Sequence, residues 1–182
     1  VYVDLFAHAD AVPSDLDKLA DLARRISDRH TGVGADGLIL IGPGEEAPFR
    51  MRMFNADGSE SAMCGNGLRC VAKYVADAGY GAATSPSFDV ESGASVHRVT
   101  LVAPPASTEH DVTTSFVRLS MGKPRLTHRE IPTVGPPDEP AQSVELKIGG
   151  EGAQIVHCAS MGNPHAVLFV ESTASAPVTT LG

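Results

Sequence analysis

Seven residues, Met63-Cys64-Gly65-Asn66-Gly67-Leu68-Arg69, place a cysteine where a loop becomes a helix. Downstream, Leu68 to Ala78 is a run of good helix formers followed by Gly79, a common stop signal. The glycines on either side of Asn66 leave the backbone bare at the helix entrance, so free N–H groups there can touch a ligand. Those groups and the helix dipole favour anions, both a thiolate at Cys64 and a carboxylate bound beside it. The pattern offers a nucleophile or base next to an anion cradle.

The other cysteines carry less. Cys70 lies six residues on, roughly 9 Å along a helix rising about 1.5 Å per residue, and is expected to pack in the core. Cys158 falls in a strand candidate, with His157 on the opposite face, and is also expected in the core. No pair among Cys64, Cys70, His157, Cys158 and His165 has the spacing of zinc ligands, so no metal site is expected.

The helix that follows Cys64 has one charged stripe, Arg69, Lys73 and Asp77, and is otherwise apolar, small or aromatic. Such a helix is expected to be buried on most sides, with a sheet curled around it and its positive end open at one rim. Ser14 can cap a covering helix over Asp15–Asp28, whose apolar stripe is Leu16, Leu19, Ala20, Ala23 and Ile26. Strands are predicted at Val1–Phe6, Gly37–Ile41, Phe49–Phe54, Ser87–Glu91, Ser95–Val102, Thr113–Ser120, Val144–Ile148, Gln154–Ala159 and Ala166–Val170. Period-two alternation, as in Phe49, Met51 and Met53 against Arg50 and Arg52, marks half-buried antiparallel strands. Ala103–Ser107 and Thr133–Pro140 are loops. The class is α+β, rich in antiparallel sheet.

Composition narrows the partners. Net charge is −8, from 14 basic and 22 acidic residues, which argues against a nucleic-acid or acidic-membrane partner. No apolar run approaches the roughly 18 residues that cross a bilayer, and no signal-peptide pattern opens the chain. Three cysteines without paired spacing fit reduced thiols in a reducing compartment.

Four segments together resemble the diaminopimelate epimerase family, which works without pyridoxal phosphate. They are Arg29-His30-Thr31-Gly32-Val33-Gly34-Ala35-Asp36-Gly37, Phe54-Asn55-Ala56-Asp57-Gly58-Ser59-Glu60, the Cys64 motif extended to Cys70, and Ser160-Met161-Gly162-Asn163-Pro164-His165. They occur in family order and span almost all of the 182 residues. The resemblance implies a two-domain enzyme of pseudo-symmetric halves, each a barrel-like roll of mainly antiparallel sheet around a central helix. Residues 1–182 would be an N-terminal domain of that kind. The implied activity is cytoplasmic, cofactor-independent interconversion of LL- and meso-diaminopimelate for lysine and peptidoglycan, by an enzyme that can be a homodimer.

In such a reaction the α-proton leaves one face and returns on the other. The charge that builds on an already anionic carboxylate needs strong electrostatic stabilisation, which helix N-terminal amides supply. Cys64 would be one acid/base, and Gly65 and Asn66 would donate N–H groups to the α-carboxylate. Asn55, before the turn signal Ala56-Asp57-Gly58, reads by itself as a residue bonding its own turn; the resemblance implies substrate binding. Asn163, presented by the extended bend before Pro164, is implied in the same role. His165 is placed to be a supporting acid/base.

The chain also departs from the family pattern. The Gly-Asn-Asp-Phe segment that usually precedes the first strand, with its substrate-binding Asn, is not in the sequence, nor is the Gly-rich motif carrying a second catalytic cysteine. Gly37 stands where some relatives carry a ligand-contacting Gln. The expectation is a fragment of a longer enzyme, inactive alone. Two other classes remain open: a related racemase of another substrate, such as a proline-racemase-like enzyme, and a non-catalytic binding relative.

Overall fold

The computed structural model of the chain describes residues 1–81, 85–93, 95–102, 116–147, 152–176 and 178–181. The loop expected at Ala103–Ser107 lies outside them. The structure divides into two compact units, Val1–Met121 and Gly122–Gly182.

The first unit contains β1 (Tyr2–Asp4), α1 (Leu16–Ser27), β2 (Gly37–Pro43), β3 (Phe49–Asn55), β4 (Glu60–Ser61), α2 (Gly65–Asp77), β5 (Ser87–Ser92), β6 (Ser95–Val102) and β7 (Phe116–Leu119). One sheet runs β1-β2-β3-β5-β6-β7, with β4 paired to β3. The pairs β1–β2 and β3–β5 are parallel and the others antiparallel, so the sheet is mixed.

Strand β2 explains the layering. Its side chains alternate, yet the run Leu38-Ile39-Leu40-Ile41 is apolar throughout because both faces are covered. Leu38 and Leu40 join Phe54 and α1's Leu19 and Ala23 in one buried cluster. Ile39 and Ile41 join Phe49, Met51, Phe88, Val90 and Val99 against Leu68, Val71, Ala72 and Val75 of α2. The sheet is thus sandwiched between the two helices. Asp15, not the expected Ser14, caps α1, its carboxylate accepting the Lys18 N–H at 3.0 Å.

The barrel-like closure is a correction. Among the described residues β1 and β7 remain edges, and α2 lies on one face of an open sheet. Its opposite side is consequently uncovered there: Cys70 and Tyr74 are exposed, against the expectation that the helix is buried on most sides. The Tyr74 hydroxyl instead donates to Asp4 Oδ2 at 2.7 Å, and that of Tyr80 donates to the same oxygen, joining β1 to α2.

The second unit is a three-stranded antiparallel sheet ordered β10 (Pro164–Val167), β9 (Ala153–Ser160), β8 (Val144–Lys147), plus the short α3 (Val178–Leu181). Ile131, Ala141, Val156 and Cys158 form its small core. Strand β10 begins two residues earlier than predicted. A turn at residues 161–163, with Gly162 at φ 117°, brings Pro164 directly opposite Ser160. Proline is tolerated there because β10 is an edge strand. No described helix is long and apolar enough to cross a membrane.

Candidate active site

The chain leaves β4 through Ala62 and Met63 and enters α2 at Cys64, the N-cap residue, which is extended at φ −140°, ψ 97°. Its Sγ accepts the N–H of Gly67 at 3.3 Å and its carbonyl accepts that of Leu68 at 2.9 Å. Sulfur thereby takes the place of the oxygen that usually caps a helix. The helix starts at Gly65 rather than Leu68, so Gly-Asn-Gly is its first turn. Among the described residues the N–H groups of Gly65 and Asn66 have no partner in the protein.

Close packing accounts for Gly67. A Cβ there would lie 3.1 Å from Ile39 Cδ1, 3.2 Å from Met51 Sδ and 3.3 Å from Cys64 Sγ. Glycine lets the first turn settle onto the sheet and against the sulfur, while Leu68, completely buried, anchors the turn from below. Arg69 Nη1 donates to the Gly65 carbonyl at 3.1 Å, adding a cation beside the helix's positive end. A half-buried sulfur, two open amides and a 13-residue dipole meet at one point. Chemically, this arrangement can hold a carboxylate beside a thiolate base.

Asn55 ends β3 and opens the turn that hands the chain to β4 and so to Cys64. Its Nδ2 donates to Ser59 Oγ at 2.9 Å, as a residue bonding its own turn would. The Asp57 carboxyl in that turn is held below its ordinary value, first by the Ser59 hydroxyl and next by the Ser59 N–H.

Asn163 and His165 belong to the second unit. Asn163 lies in the β9–β10 turn, and His165 is an exposed residue of β10 opposite Ala159. His165, His128, Thr133 and Cys158 line a cleft of about 840 Å³ within that unit. That cleft does not include Cys64, and the chemistry favours the helix tip, where a thiol and free amides converge. Among the described residues no group of three or more His, Cys, Asp or Glu could hold a metal ion.

One neighbour of the site lies elsewhere than the sequence suggested, and another went unread. Cys70 is exposed rather than in the core, while Cys158 is buried as expected. Tyr2 stands in β1 on the α2 side, opposite Ile39. Its hydroxyl is pushed up to about 12, first by burial, then by a hydrogen bond with Cys70 and by the charges of Cys70 and Cys64. Only the parallel β1–β2 pairing brings Tyr2 there, and no local pattern announces it.

The sequence model of a family described as diaminopimelate epimerase matches residues 1–126. Curated diaminopimelate epimerases from Geobacillus thermodenitrificans and Agathobacter rectalis are each 44% identical, over 100% and 96% of this chain and 58% of the relative in both cases. The chain thus spans about three-fifths of the length of the curated relatives it matches. A solved probable proline racemase from Agrobacterium radiobacter superposes with a TM-score of 0.60 at 17% identity, covering 92% of this chain and 50% of that one. A hydroxyproline epimerase from Agrobacterium vitis gives 0.57 at 16% identity, covering 86% and 44%. Those two likenesses concern the fold alone. The match of the family model to more than two-thirds of the residues shows that this chain belongs to the diaminopimelate epimerase family.

Proposed function

We propose that this chain is part of a cofactor-independent amino-acid epimerase that interconverts LL- and meso-diaminopimelate by two-thiol proton transfer at the α-carbon. The observation that carries the reading is Cys64 at the N-cap of α2, its sulfur bonded to one helix amide and flanked by two open ones. In this reading the α-carboxylate sits on the Gly65 and Asn66 amides. The Cys64 thiolate takes the α-proton from one face, and a second thiol, outside these 182 residues, delivers a proton to the other. In the return direction the two thiols exchange roles, so atoms and charge balance over the cycle. The amides stabilise the carbanionic intermediate, whose extra charge spreads onto the carboxylate they hold.

Asn55 and Asn163 are assigned to substrate binding and His165 to a supporting acid/base role on the strength of the motifs that carry them. The reading treats the chain as belonging to one of two pseudo-symmetric halves of a longer enzyme.

The test is the full-length enzyme in heavy water. α-Deuterium incorporation into diaminopimelate, with meso product followed by chiral chromatography, is expected in the parent and lost in Cys64→Ala with the fold intact. Substantial activity in Cys64→Ala would make another group the base. Exchange on proline but not on diaminopimelate, across a panel of amino acids, would replace the substrate.

A further inference from the structure

The turn that carries Asn55 is wired to α1. Arg24 Nε donates to the Asp57 carbonyl at 2.9 Å. Asp57 Oδ1 in turn accepts the Ser59 N–H at 2.8 Å and the Ser59 hydroxyl at 2.6 Å. A serine hydroxyl has one proton, and an ionised carboxylate can only accept. With that proton committed to Asp57, Ser59 Oγ can only accept from Asn55, which requires the NH2 end of the amide at the 2.9 Å contact. Hydrogen-bond logic of this kind is how an amide's orientation is assigned. The Asn55 backbone is occupied as well: its N–H donates to the Ser59 carbonyl at 2.8 Å, and its carbonyl accepts the Gly58 N–H at 2.9 Å. A Cβ at Gly58 would lie 2.7 Å from the Ala20 carbonyl, so the turn rests directly on α1. Among the described residues Asn55 Oδ1 has no partner.

We infer that Arg24, Asp57 and Ser59 are positioning residues that fix the polarity of the Asn55 amide, holding its NH2 on the turn and leaving its carbonyl oxygen as an acceptor for an ammonium group of the substrate. This rests on the reading of Asn55 as a substrate contact. The wire has a direction: a carboxylate at one end sets the hydroxyl, and the hydroxyl sets the amide. Arg24 holds the carbonyl of the same aspartate, so the anchor sits on a helix and not on the turn itself. An amide so fixed offers an ammonium ion an acceptor without having to flip, and discriminates against a carboxylate at the same place.

The experiment is steady-state kinetics of the full-length enzyme with LL-diaminopimelate. Asn55→Ala, Ser59→Ala and Arg24→Ala are each expected to raise KM about three- to tenfold, the effect falling on KM rather than kcat, as loss of one hydrogen bond predicts. Ser59→Thr, which keeps the hydroxyl, restores the parent KM. The double variant Ser59→Ala/Asn55→Ala matches Asn55→Ala alone, because the serine acts through the amide. Asn55→Asp replaces the donor with a carboxylate oxygen facing a Ser59 Oγ that can only accept, so its KM is expected to rise above that of the parent. If Asn55→Ala leaves KM unchanged, Asn55 is not a substrate contact and the inference falls with that reading. If Asn55→Ala raises KM while Ser59→Ala and Arg24→Ala do not, or the double variant is additive, the positioning role is overturned. A parent KM for Asn55→Asp would show that the turn does not need the NH2 end of the amide, and overturns the fixed polarity.

Discussion

Gly93, in the turn between β5 and β6, bears on the Cys64 sulfur without touching it. It adopts φ +59°, and a Cβ there would lie 2.4 Å from the carbonyl oxygen of Ala62, two residues before Cys64. Real Cβ contacts do not fall below 3.0 Å, so Gly93→Ala must widen that gap by at least 0.6 Å. The obstacle is backbone, which cannot step aside as a side-chain tip would. Gly79, just past the C-terminal end of α2, is the control: it has φ +71°, and a Cβ there meets nothing within 4 Å. Gly79→Ala therefore costs only the left-handed strain, about 1–2 kcal/mol. Gly93→Ala costs the same strain plus an overpacking penalty of about 1–3 kcal/mol. Its second effect falls on the segment 62–64, where a sub-ångström displacement of a reacting group can cost about 10- to 100-fold in rate. In the full-length protein, unfolding free energies by denaturant titration and the rate of Cys64 alkylation at 25 °C give both quantities. Gly93→Ala is expected to lose more stability than Gly79→Ala and to change the Cys64 alkylation rate, which Gly79→Ala leaves alone. Equal stability losses, with Cys64 reacting at the parent rate in both variants, would refute the coupling between the hairpin and the site.

Three other outcomes follow from the same packing. Brief iodoacetamide treatment with peptide mapping should label Cys64 before buried Cys158, and before exposed Cys70, which lacks a helix-end amide; labelling led by Cys158 would contradict the site. Leu68→Ala empties a completely buried position beneath Cys64 and should destabilise the protein by about 2–5 kcal/mol in denaturant titration, while a loss well under 1 kcal/mol would mean the site collapses freely. The Glu91 carboxyl is held below its ordinary value of 4.5 chiefly by the Ala47 N–H, accepted at 2.6 Å, with burial opposing and the Glu46 N–H assisting. A lowered folded-state value means that its stabilisation is fully present above 4.5 and is lost as the pH falls through the folded value. Glu91→Gln should therefore flatten the acid limb of a stability-against-pH curve, and an unchanged limb would show that the loop at residues 45–47 does not depend on the charge.

Much of this protein is readable along the chain. Helix α1, the alternating strands and Cys64 at a helix entrance follow from periodicity and capping, which are properties of neighbouring residues. Even the doubly covered β2 shows itself as an unbroken apolar run. What the chain does not announce is every contact that depends on which distant segments meet. The parallel pairings β1–β2 and β3–β5 have no local signature, because the residues they join are separated by long intervening segments. The same holds for Asp4 receiving hydroxyls from residues 70 and 76 positions away, and for Arg24 bracing a turn 33 residues on. Local pattern told which faces are apolar, but not that, among the described residues, β1 and β7 stay as edges and Cys70 is exposed. Side-chain chemistry and spacing determined that a thiol stands at a helix tip; tertiary packing alone decided which groups surround it, since burial and electrostatic environment belong to position in space rather than to position in the chain.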